Sequence, residues 1–228
     1  MTKNKLQRFA DVREFENVFE LTDFQENPDE KPRGKWKSEI FENDHPLILE
    51  LACGKGGYTL ELARRNPDKN YVGVDIKGAR IWKGAKRALN EGLDNVRFLR
   101  IFIDHLYEYF GKDEVDEIWI TFPDPYPKHR DRNKRLTSPK FLKIYQQVLK
   151  PGAPIHFKTD NGKLFEYTKR VVKSLQCPVQ ERVEDIYEER PDDELLTIKT
   201  FYEKGHLEKG RTIRYIRFML PNEPIVTN

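Results

Sequence analysis

The chain from 117 to 130 reads Glu117-Ile118-Trp119-Ile120-Thr121-Phe122-Pro123-Asp124-Pro125-Tyr126-Pro127-Lys128-His129-Arg130. Its first part, Glu117 to Ile120, is a short apolar run that predicts a buried strand. The three prolines that follow cannot continue a strand or occupy a helix interior, so the chain must leave the sheet rigidly here. Asp124 is thereby held between two prolines at the carboxyl end of a strand, the edge at which open α/β sheets bind ligands.

Strand-like and helix-like segments alternate on both sides of this stretch. Strands are predicted at Leu47 to Leu51, Tyr71 to Val74, Val96 to Ile101, Glu117 to Thr121 and Pro154 to Lys158, and helices at Tyr58 to Arg65, Ala79 to Leu89, His105 to Phe110, Ser138 to Leu149 and Lys163 to Leu175. This alternation predicts an α/β fold, a mostly parallel sheet with helices on both faces. Leu195 to Tyr202 and Thr212 to Leu220 are predicted to add an antiparallel C-terminal hairpin at one edge.

Length and composition indicate one large domain with a charged surface. The chain has 228 residues, of which 35% are charged, and its formal net charge is only +3. A nucleic-acid signal must therefore come from clustered charge. Residues 46–228 are predicted to form the domain, and residues 1–45 a partly flexible arm with a short helix around Val12 to Leu21.

Cysteine usage and hydropathy favour a reduced, cytoplasmic setting. Cys53 and Cys177 lie far apart and indicate neither a disulfide framework nor a metal site. The N-terminus lacks the apolar core of a signal peptide, and no segment approaches the roughly 20 apolar residues that span a bilayer. We therefore expect no membrane association and no metal. Either a monomer or a homodimer is compatible with the sequence.

A glycine-rich segment, Leu49-Glu50-Leu51-Ala52-Cys53-Gly54-Lys55-Gly56-Gly57, links the first predicted strand and helix of the domain. Glycines at such a junction let the backbone approach a ligand, and Asp75 at the end of the next strand can bond ribose hydroxyls. The third glycine is misplaced for the dinucleotide fingerprint G-x-G-x-x-G, which disfavours a nicotinamide oxidoreductase. An ordinary tight turn is the alternative interpretation.

Three further motifs accompany Asp124. Residues 128–135 contain five Lys or Arg residues, a run that suits phosphate contacts, although a solvated surface loop is an alternative. His156 to Asn161 ends another strand and should share the sheet edge of Asp124, although Asp160 or Asn161 could simply cap the next helix. Thr200-Phe201-Tyr202-Glu203 lies near the predicted hairpin turn, where an ordinary strand end is the alternative.

Together these motifs resemble the bacterial tRNA (guanine-N7-)-methyltransferase family over roughly residues 36 to 220. The resemblance is carried by Glu50 to Gly57, Phe122 to Lys128, Arg135-Leu136-Thr137, Phe157 to Asn161 and Thr200 to Glu203. The proline-framed acid motif is specific, whereas the glycine loop is not. The family usually has glycine where Ala52 stands, and tryptophan where Tyr126 stands. The resemblance implies a Rossmann-like class I methyltransferase fold, with S-adenosyl-L-methionine as methyl donor and a guanine of the tRNA variable loop as substrate.

The resemblance also implies roles for individual residues. Asp124 would be the catalytic position. Residues expected to bind the cofactor are Glu50, Gly54, Gly56, Asp75, Ile103, Asp104 and Asp124. Residues expected to bind the substrate are Lys128, Asp160, Thr200, Phe201, Tyr202 and Glu203. Phosphates of tRNA are expected to meet Arg130, Arg132, Lys134 and Arg135.

Two other functions remain open at the level of sequence. The Asp-Pro-Tyr segment faintly resembles the Asn-Pro-Pro-Tyr loop of amino-methyltransferases, which would place the methyl group on an exocyclic amine. A non-catalytic RNA-binding protein with a vestigial cofactor pocket is the other alternative. Cofactor binding distinguishes an enzyme from the non-catalytic RNA-binding protein. The identity of the methylated atom distinguishes the N7 methyltransferase from the exocyclic-amine methyltransferase.

Overall fold

The computed structural model describes residues 5–20 and 31–226, without the side chains of Lys5, Leu6, Phe9, Phe201 and Tyr202. Its strands are β1 (Val18–Glu20), β2 (Leu47–Leu51), β3 (Asn70–Val74), β4 (Val96–Arg100), β5 (Glu117–Thr121), β6 (Pro154–Thr159), β7 (Val179–Val183) and β8 (Arg214–Met219). They form a single sheet in the order β1-β4-β3-β2-β5-β6-β8-β7. All neighbouring strands are parallel except that β8 runs antiparallel to both β6 and β7. The mixed, mostly parallel sheet confirms the predicted fold class.

Helices cover both faces of this sheet. They are α1 (Lys5–Arg13), α2 (Gly57–Arg65), α3 (Gly78–Glu91), α4 (Leu106–Tyr109), α5 (Pro139–Tyr145), α6 (Gly162–Ser174), α7 (Ile186–Glu189) and α8 (Phe201–Leu207). Short turns of other helix types span Trp36–Ile40, Ile103–His105 and His129–Lys134. Side chains of α2, α3 and α7 contribute to one buried apolar cluster and those of α4, α5 and α6 to another. Because helices cover both faces, every residue of β2 and β3 is buried, and most of their side chains are apolar.

The strand order contains a topological switch point between β2 and β5. The chain proceeds from β2 to β3 and β4 on one side, and then from β5 to β6 on the other. Ligands of open α/β sheets bind where the strand order reverses, outside the carboxyl ends of the strands. The glycine loop after β2 and the proline-rich loop after β5 both lie at this point.

The predicted C-terminal hairpin is wrong in its first strand. Leu195 to Tyr202 does not pair with the sheet; it forms a turn and then enters α8, and β7 is the strand that pairs with β8. Polar side chains explain the difference, because the Asp193 carboxylate accepts hydrogen bonds from the N–H groups of Leu195 and Leu196. Thr200 caps α8 by accepting from the Glu203 N–H at 3.3 Å. Such local bonds satisfy backbone groups that a strand would need for pairing.

Two helix predictions also require correction. The helix predicted around Val12 to Leu21 lies earlier, at Lys5–Arg13, and Val18–Glu20 is a strand that pairs with β4; Leu21 itself lies outside the described residues. Helix α5 ends at Tyr145 and not at Leu149, which forms a β-bridge with Val115. In both places, backbone pairing with a distant segment outweighs local helix preference. In the predicted arm, Trp36 is fully buried in the core.

Candidate active site

Two cavities lie side by side at the carboxyl edge of the sheet, with volumes of about 300 and about 320 Å³. We call them the first and the second cavity. Their shared wall consists of Ala52, Arg80, Phe122, Pro123 and Asp124. The first cavity extends toward the ends of β3 and β4, and the second toward the glycine loop and β6. The sheet edge therefore brings Asp124 between two adjoining spaces.

The glycine loop is held in a left-handed backbone conformation. Its φ angles are 58° at Ala52, 60° at Gly54 and 66° at Gly56. Glycine adopts such angles without penalty, whereas the alanine methyl group is crowded there. A side chain at Gly56 would also come within 2.6 Å of the Phe98 ring, so glycine is required for packing as well. Ala52 thus occupies a strained position in the wall between the two cavities.

Asp75 connects the glycine loop to the first cavity. Its carboxylate accepts hydrogen bonds from the N–H groups of Gly54 at 2.9 Å and Lys77 at 2.8 Å. Ile103 and Asp104, which were predicted to bind the cofactor, also line this cavity. Asp104 also forms an ion pair with Lys140. A carboxylate has about four acceptor sites, so Asp75 retains acceptor capacity toward a ligand.

Glu50 lies beneath the glycine loop with its carboxyl group enclosed by protein. One oxygen accepts from the Thr59 N–H at 2.8 Å and from the Thr59 hydroxyl, and the other from the Thr121 hydroxyl at 2.7 Å. Burial raises the pKa of Glu50 to about 7, although these hydrogen bonds oppose the increase. The carboxyl group therefore ties the start of α2 to the end of β5.

Asp124 projects from a loop with two left-handed residues. Phe122 has a φ of 49° and Tyr126 a φ of 40°, and both flank the Pro123-Asp124-Pro125 segment. Non-glycine residues in this region are strained by about 1–3 kcal/mol each unless their surroundings hold them. Asp124 is exposed and has no hydrogen bond or ion pair within residues 5–20 and 31–226. Its carboxylate is therefore available to both cavities.

A charged cluster lines the second cavity together with Asp124. Asp160 accepts from Arg211 at 2.5 Å and lies 3.2 Å from the Nδ1 atom of His206. The His206 ring stacks on Phe122 with a centroid distance of 5.5 Å. Thr200, the cap of α8, lines the same cavity. The side chains of Phe201 and Tyr202, predicted to contact substrate, are outside the described part of the structure.

A buried ion pair lies next to Phe122, which lines the second cavity. The Lys158 ammonium lies 2.8 Å from the Glu203 carboxylate, and both side chains are fully buried. The Tyr187 hydroxyl donates to Glu203, and Lys158 also donates to the Leu196 carbonyl. Burial lowers the pKa of Lys158 and raises that of Glu203, while their mutual attraction opposes both shifts. Because its oxygens are engaged by Lys158 and Tyr187, Glu203 does not face the open cavity, unlike Asp160.

The basic run divides into exposed and engaged residues. Lys128 and Arg130 are exposed, and their side chains make no hydrogen bond or ion pair with the described residues. Arg132 is exposed and donates to the Nδ1 atom of His129 at 3.3 Å, and Lys134 pairs with Asp131 at 2.8 Å. Arg135 instead donates two hydrogen bonds to the Tyr126 carbonyl, at 2.9 and 3.2 Å.

Three basic residues that line the second cavity outside the sequence motifs were not identified from the sequence. They are Arg80, His206 and Arg211. Arg80 had a detectable signal, since a basic residue in the first turn of a helix opposes the helix dipole and such exceptions often have a functional cause. His206 and Arg211 had none, because the segment containing them was interpreted as a turn between strands.

Among the helices of residues 5–20 and 31–226, none combines the length and apolar character of a bilayer-spanning segment. The same residues contain no group of three or more His, Cys, Asp or Glu side chains arranged to hold a metal ion.

The strand order and the helices on both faces are those of the Rossmann-like class I methyltransferase fold. Among solved structures, the 16S rRNA methyltransferase KamB has a TM-score of 0.62 at 15% identity, with coverage of 81% of this chain and 92% of that chain. A variant of the 16S rRNA (adenine(1408)-N(1))-methyltransferase from Catenulisporales acidiphilia, solved with cosubstrate SAM, has a TM-score of 0.56 at 16% identity, with coverage of 84% and 93%. At such identities these similarities establish the fold.

Sequence comparison establishes the family. Residues 44–216 match the sequence model of a family described as "Putative methyltransferase". The tRNA (guanine-N(7)-)-methyltransferase of Bacteroides thetaiotaomicron is 46% identical over 227 residues, which cover 99% of this chain and 89% of the relative. That of Christiangramia forsetii is 49% identical over 225 residues, which cover 96% and 99%. The chain belongs to the tRNA (guanine-N7-)-methyltransferase family, which confirms the resemblance found in the motifs.

Proposed function

We propose that this protein transfers a methyl group from S-adenosyl-L-methionine to N7 of a guanine in tRNA. The observation that carries the proposal is the position of Asp124, whose exposed carboxylate lies in the wall shared by the two cavities. One cavity suits a nucleoside cofactor and the other a flipped base, so the shared wall is where the two reactants would meet. The relatives' name, tRNA (guanine-N(7)-)-methyltransferase, supports this choice of substrate.

The first cavity fits the adenosine part of the cofactor. Asp75 retains acceptor capacity for ribose hydroxyls, and the apolar side chains of Ile76, Ile103 and Phe141 offer surfaces for adenine. The glycine loop borders the second cavity, where its backbone can approach the methionine part. When bound, this cofactor supplies a methyl group already activated on a sulfonium. The protein therefore needs to hold both reactants rather than activate the donor.

The second cavity fits a guanine base. Asp160 provides a carboxylate for ring N–H or amine groups, and Phe122 presents an aromatic surface backed by His206. Guanine N7 carries a free lone pair, so no base must remove a proton before attack. Orientation of the reactants can then supply much of the catalysis. Positive charge spreads through the purine as N7 is methylated, and the Asp124 carboxylate would stabilise that charge.

Two predicted contact residues receive positioning roles in this proposal. Both oxygens of Glu50 are bonded to Thr59 and Thr121, so we assign it to the support of the glycine loop. Glu203 is fully buried against Lys158, so we assign it to the support of Phe122 and α8. Lys128 and Arg130 remain free to contact tRNA.

The test replaces Asp124 by asparagine, with Asp44→Asn as a control at an exposed acid at the opposite edge of the sheet. With unmodified tRNA, we expect Asp124→Asn to lower the single-turnover methylation rate by about a hundredfold, the usual effect of removing one electrostatic stabiliser. Affinity for S-adenosylhomocysteine should remain within about threefold of the wild type, because the lost group acts mainly in the transition state. The control should match the wild type in both measurements.

Nucleoside analysis of the wild-type product tests the alternatives. Detection of 7-methylguanosine supports the proposal. A methylated exocyclic amine would favour the amino-methyltransferase interpretation. Absence of methyl transfer together with retained tRNA binding would favour a non-catalytic RNA-binding protein.

A further inference from the structure

Arg135 belongs by sequence to the basic run, but its side chain faces the active-site loop. Its Nη2 and Nε atoms donate to the Tyr126 carbonyl at 2.9 and 3.2 Å. Its guanidinium lies 4.2 Å from the centre of the Tyr167 ring, on helix α6. The planar fork of an arginine can make two such bonds while its face stacks on an aromatic ring. Contacts on both its edge and its face thus hold this side chain in one orientation.

The accepting carbonyl belongs to a strained residue. Tyr126 has a φ of 40°, and the bonds to Arg135 offset the cost of this backbone conformation. At the other end of the loop, Phe122 has a φ of 49° and its N–H donates to the Lys158 carbonyl at 2.8 Å. Asp124 lies between these two residues and has no described partner of its own. Its position is therefore determined by the anchors at Phe122 and Tyr126.

Other arginines of the basic run have the exposure expected of side chains that contact phosphates. Arg130 and Arg132 are exposed, and the contact described for the Arg132 side chain is one bond of 3.3 Å to His129. Arg135 is only partly exposed and commits two of its N–H groups within the protein. The lower exposure and the hydrogen bonds of Arg135 are those of a side chain that stabilises the protein's own backbone.

We propose that Arg135 is a positioning residue that clamps the Pro123-Asp124-Pro125 segment in its reactive orientation, and is not a tRNA phosphate contact. Two bonds to one carbonyl fix the end of the loop, and Tyr167 fixes the guanidinium. The expected effect of Arg135 on the methylation rate rests on the proposed function. Its structural consequence, an ordered loop, holds whether or not the substrate is tRNA.

Arg135→Lys tests the clamp because it keeps the charge but removes the planar fork. At saturating tRNA and cofactor, we expect its single-turnover rate to fall by at least about tenfold, since small displacements of a reacting group are costly. The slope of log affinity for tRNA against log salt concentration should equal that of the wild type. Arg130→Ala, at a predicted phosphate contact, should reduce that slope by about 0.7–0.9. Lys173→Ala, the control at an exposed lysine at the opposite edge of the sheet, should change neither the slope nor the saturated rate. A reduced slope with an unchanged rate in Arg135→Lys would identify a phosphate contact and overturn the proposal.

Hydrogen exchange of the free protein provides a readout that does not depend on activity. Backbone amides of Phe122, Asp124 and Tyr126 should exchange faster in Arg135→Lys than in the wild type, and equally fast in Arg130→Ala and the wild type. Unchanged exchange at these amides would overturn the clamp even if methylation assays failed for another reason. Tyr167→Leu, which removes the stacking surface but keeps Arg135, should change exchange in the same direction. It keeps the proposal testable if Arg135→Lys does not fold.

Discussion

At Glu50 an acid is enclosed by hydroxyl and amide donors beneath the cofactor loop. Its side chain is almost fully buried, and burial raises its pKa to about 7. The three donors come from Thr59 and Thr121, which lie on different elements of the site. The protonation state of the Glu50 carboxyl group therefore affects the hydrogen bonds that hold the glycine loop.

The pH dependence of stability should reveal this group. Its pKa in the folded protein, about 7, exceeds the ordinary value of 4.5, so the folded state holds the proton over this interval. The associated stabilisation is fully present below pH 4.5 and is lost as the pH rises through about 7. Glu50→Gln can retain the contacts, with its oxygen accepting from Thr59 and its amide donating to Thr121. Between pH 5 and pH 8, we expect the unfolding free energy of the wild type to fall by about 1–3 kcal/mol relative to Glu50→Gln.

Urea unfolding of both proteins at several pH values measures this difference. Parallel curves for the wild type and Glu50→Gln would show that Glu50 does not titrate in this range. Affinity for S-adenosylhomocysteine provides the second comparison. A large loss in Glu50→Gln at pH 8 would favour the direct cofactor contact that the resemblance implied.

At the scale of elements, one phenylalanine joins the glycine loop to the sheet and to α3. Side chains built at Gly56, Gly73 and Gly84 would approach the Phe98 ring to 2.6, 2.8 and 2.8 Å. A side chain at Gly84 would also lie 2.8 Å from the Lys55 carbonyl, which is backbone of the loop and cannot move away easily. Phe98 on β4 thus fills the space that these glycines leave between the loop, β3 and α3.

This packing predicts that Gly84→Ala is harmful although alanine favours helices. We expect it to lower the unfolding free energy by about 1–3 kcal/mol, the usual cost of overpacking, and to weaken S-adenosylhomocysteine binding by displacing Lys55. Gly205→Ala is the matched control, because no described atom outside the backbone of α8 itself lies within 4 Å of a side chain built there. That control should be neutral or more stable by about 0.5–1 kcal/mol. Thermal unfolding and calorimetry measure both variants, and equal behaviour of the two would contradict the packing argument.

At the scale of the whole molecule, positive charge is distributed unevenly. The formal net charge is only +3, yet the segment after Asp124 exposes Lys128, Arg130 and Arg132, and Lys134 of the same run lines the first cavity. These exposed cations follow the carboxyl end of β5 in the chain. A polyanionic substrate would therefore be attracted to the edge that carries the reactive loop.

Arg130→Ala/Arg132→Ala tests this surface through the salt dependence of tRNA binding. Each lost phosphate contact should reduce the slope of log affinity against log salt concentration by about 0.7–0.9. Cofactor affinity should remain unchanged, because phosphate contacts position the RNA and do not form the cofactor pocket. Lys112→Ala/Lys173→Ala is the control, since it removes the same charge from the opposite edge of the sheet. If both double variants have the same slope, the run is an ordinary solvated surface.

Local patterns in the chain were sufficient for much of the fold. Five central parallel strands, the glycine loop and the proline-framed Asp124 follow from hydrophobic runs and from the backbone limits of glycine and proline, which act over a few residues. The carboxyl-edge position of Asp75, Asp124 and Asp160 follows in turn from the parallel order of their strands. These are properties that neighbouring residues determine without knowledge of distant contacts.

Only the tertiary structure decided which polar side chains are free. Glu50 and Glu203 resemble ligand contacts in the sequence, but Thr59, Thr121, Lys158 and Tyr187 engage their oxygens across long sequence separations. Arg135 resembles its neighbours in the basic run, but the Tyr126 carbonyl and the Tyr167 ring turn it inward. The segment from Leu195 to Tyr202 favours a strand by composition, yet capping bonds from Asp193 and Thr200 redirect it. Hydrogen-bond partners are set by proximity in space, and side-chain chemistry alone does not specify that proximity.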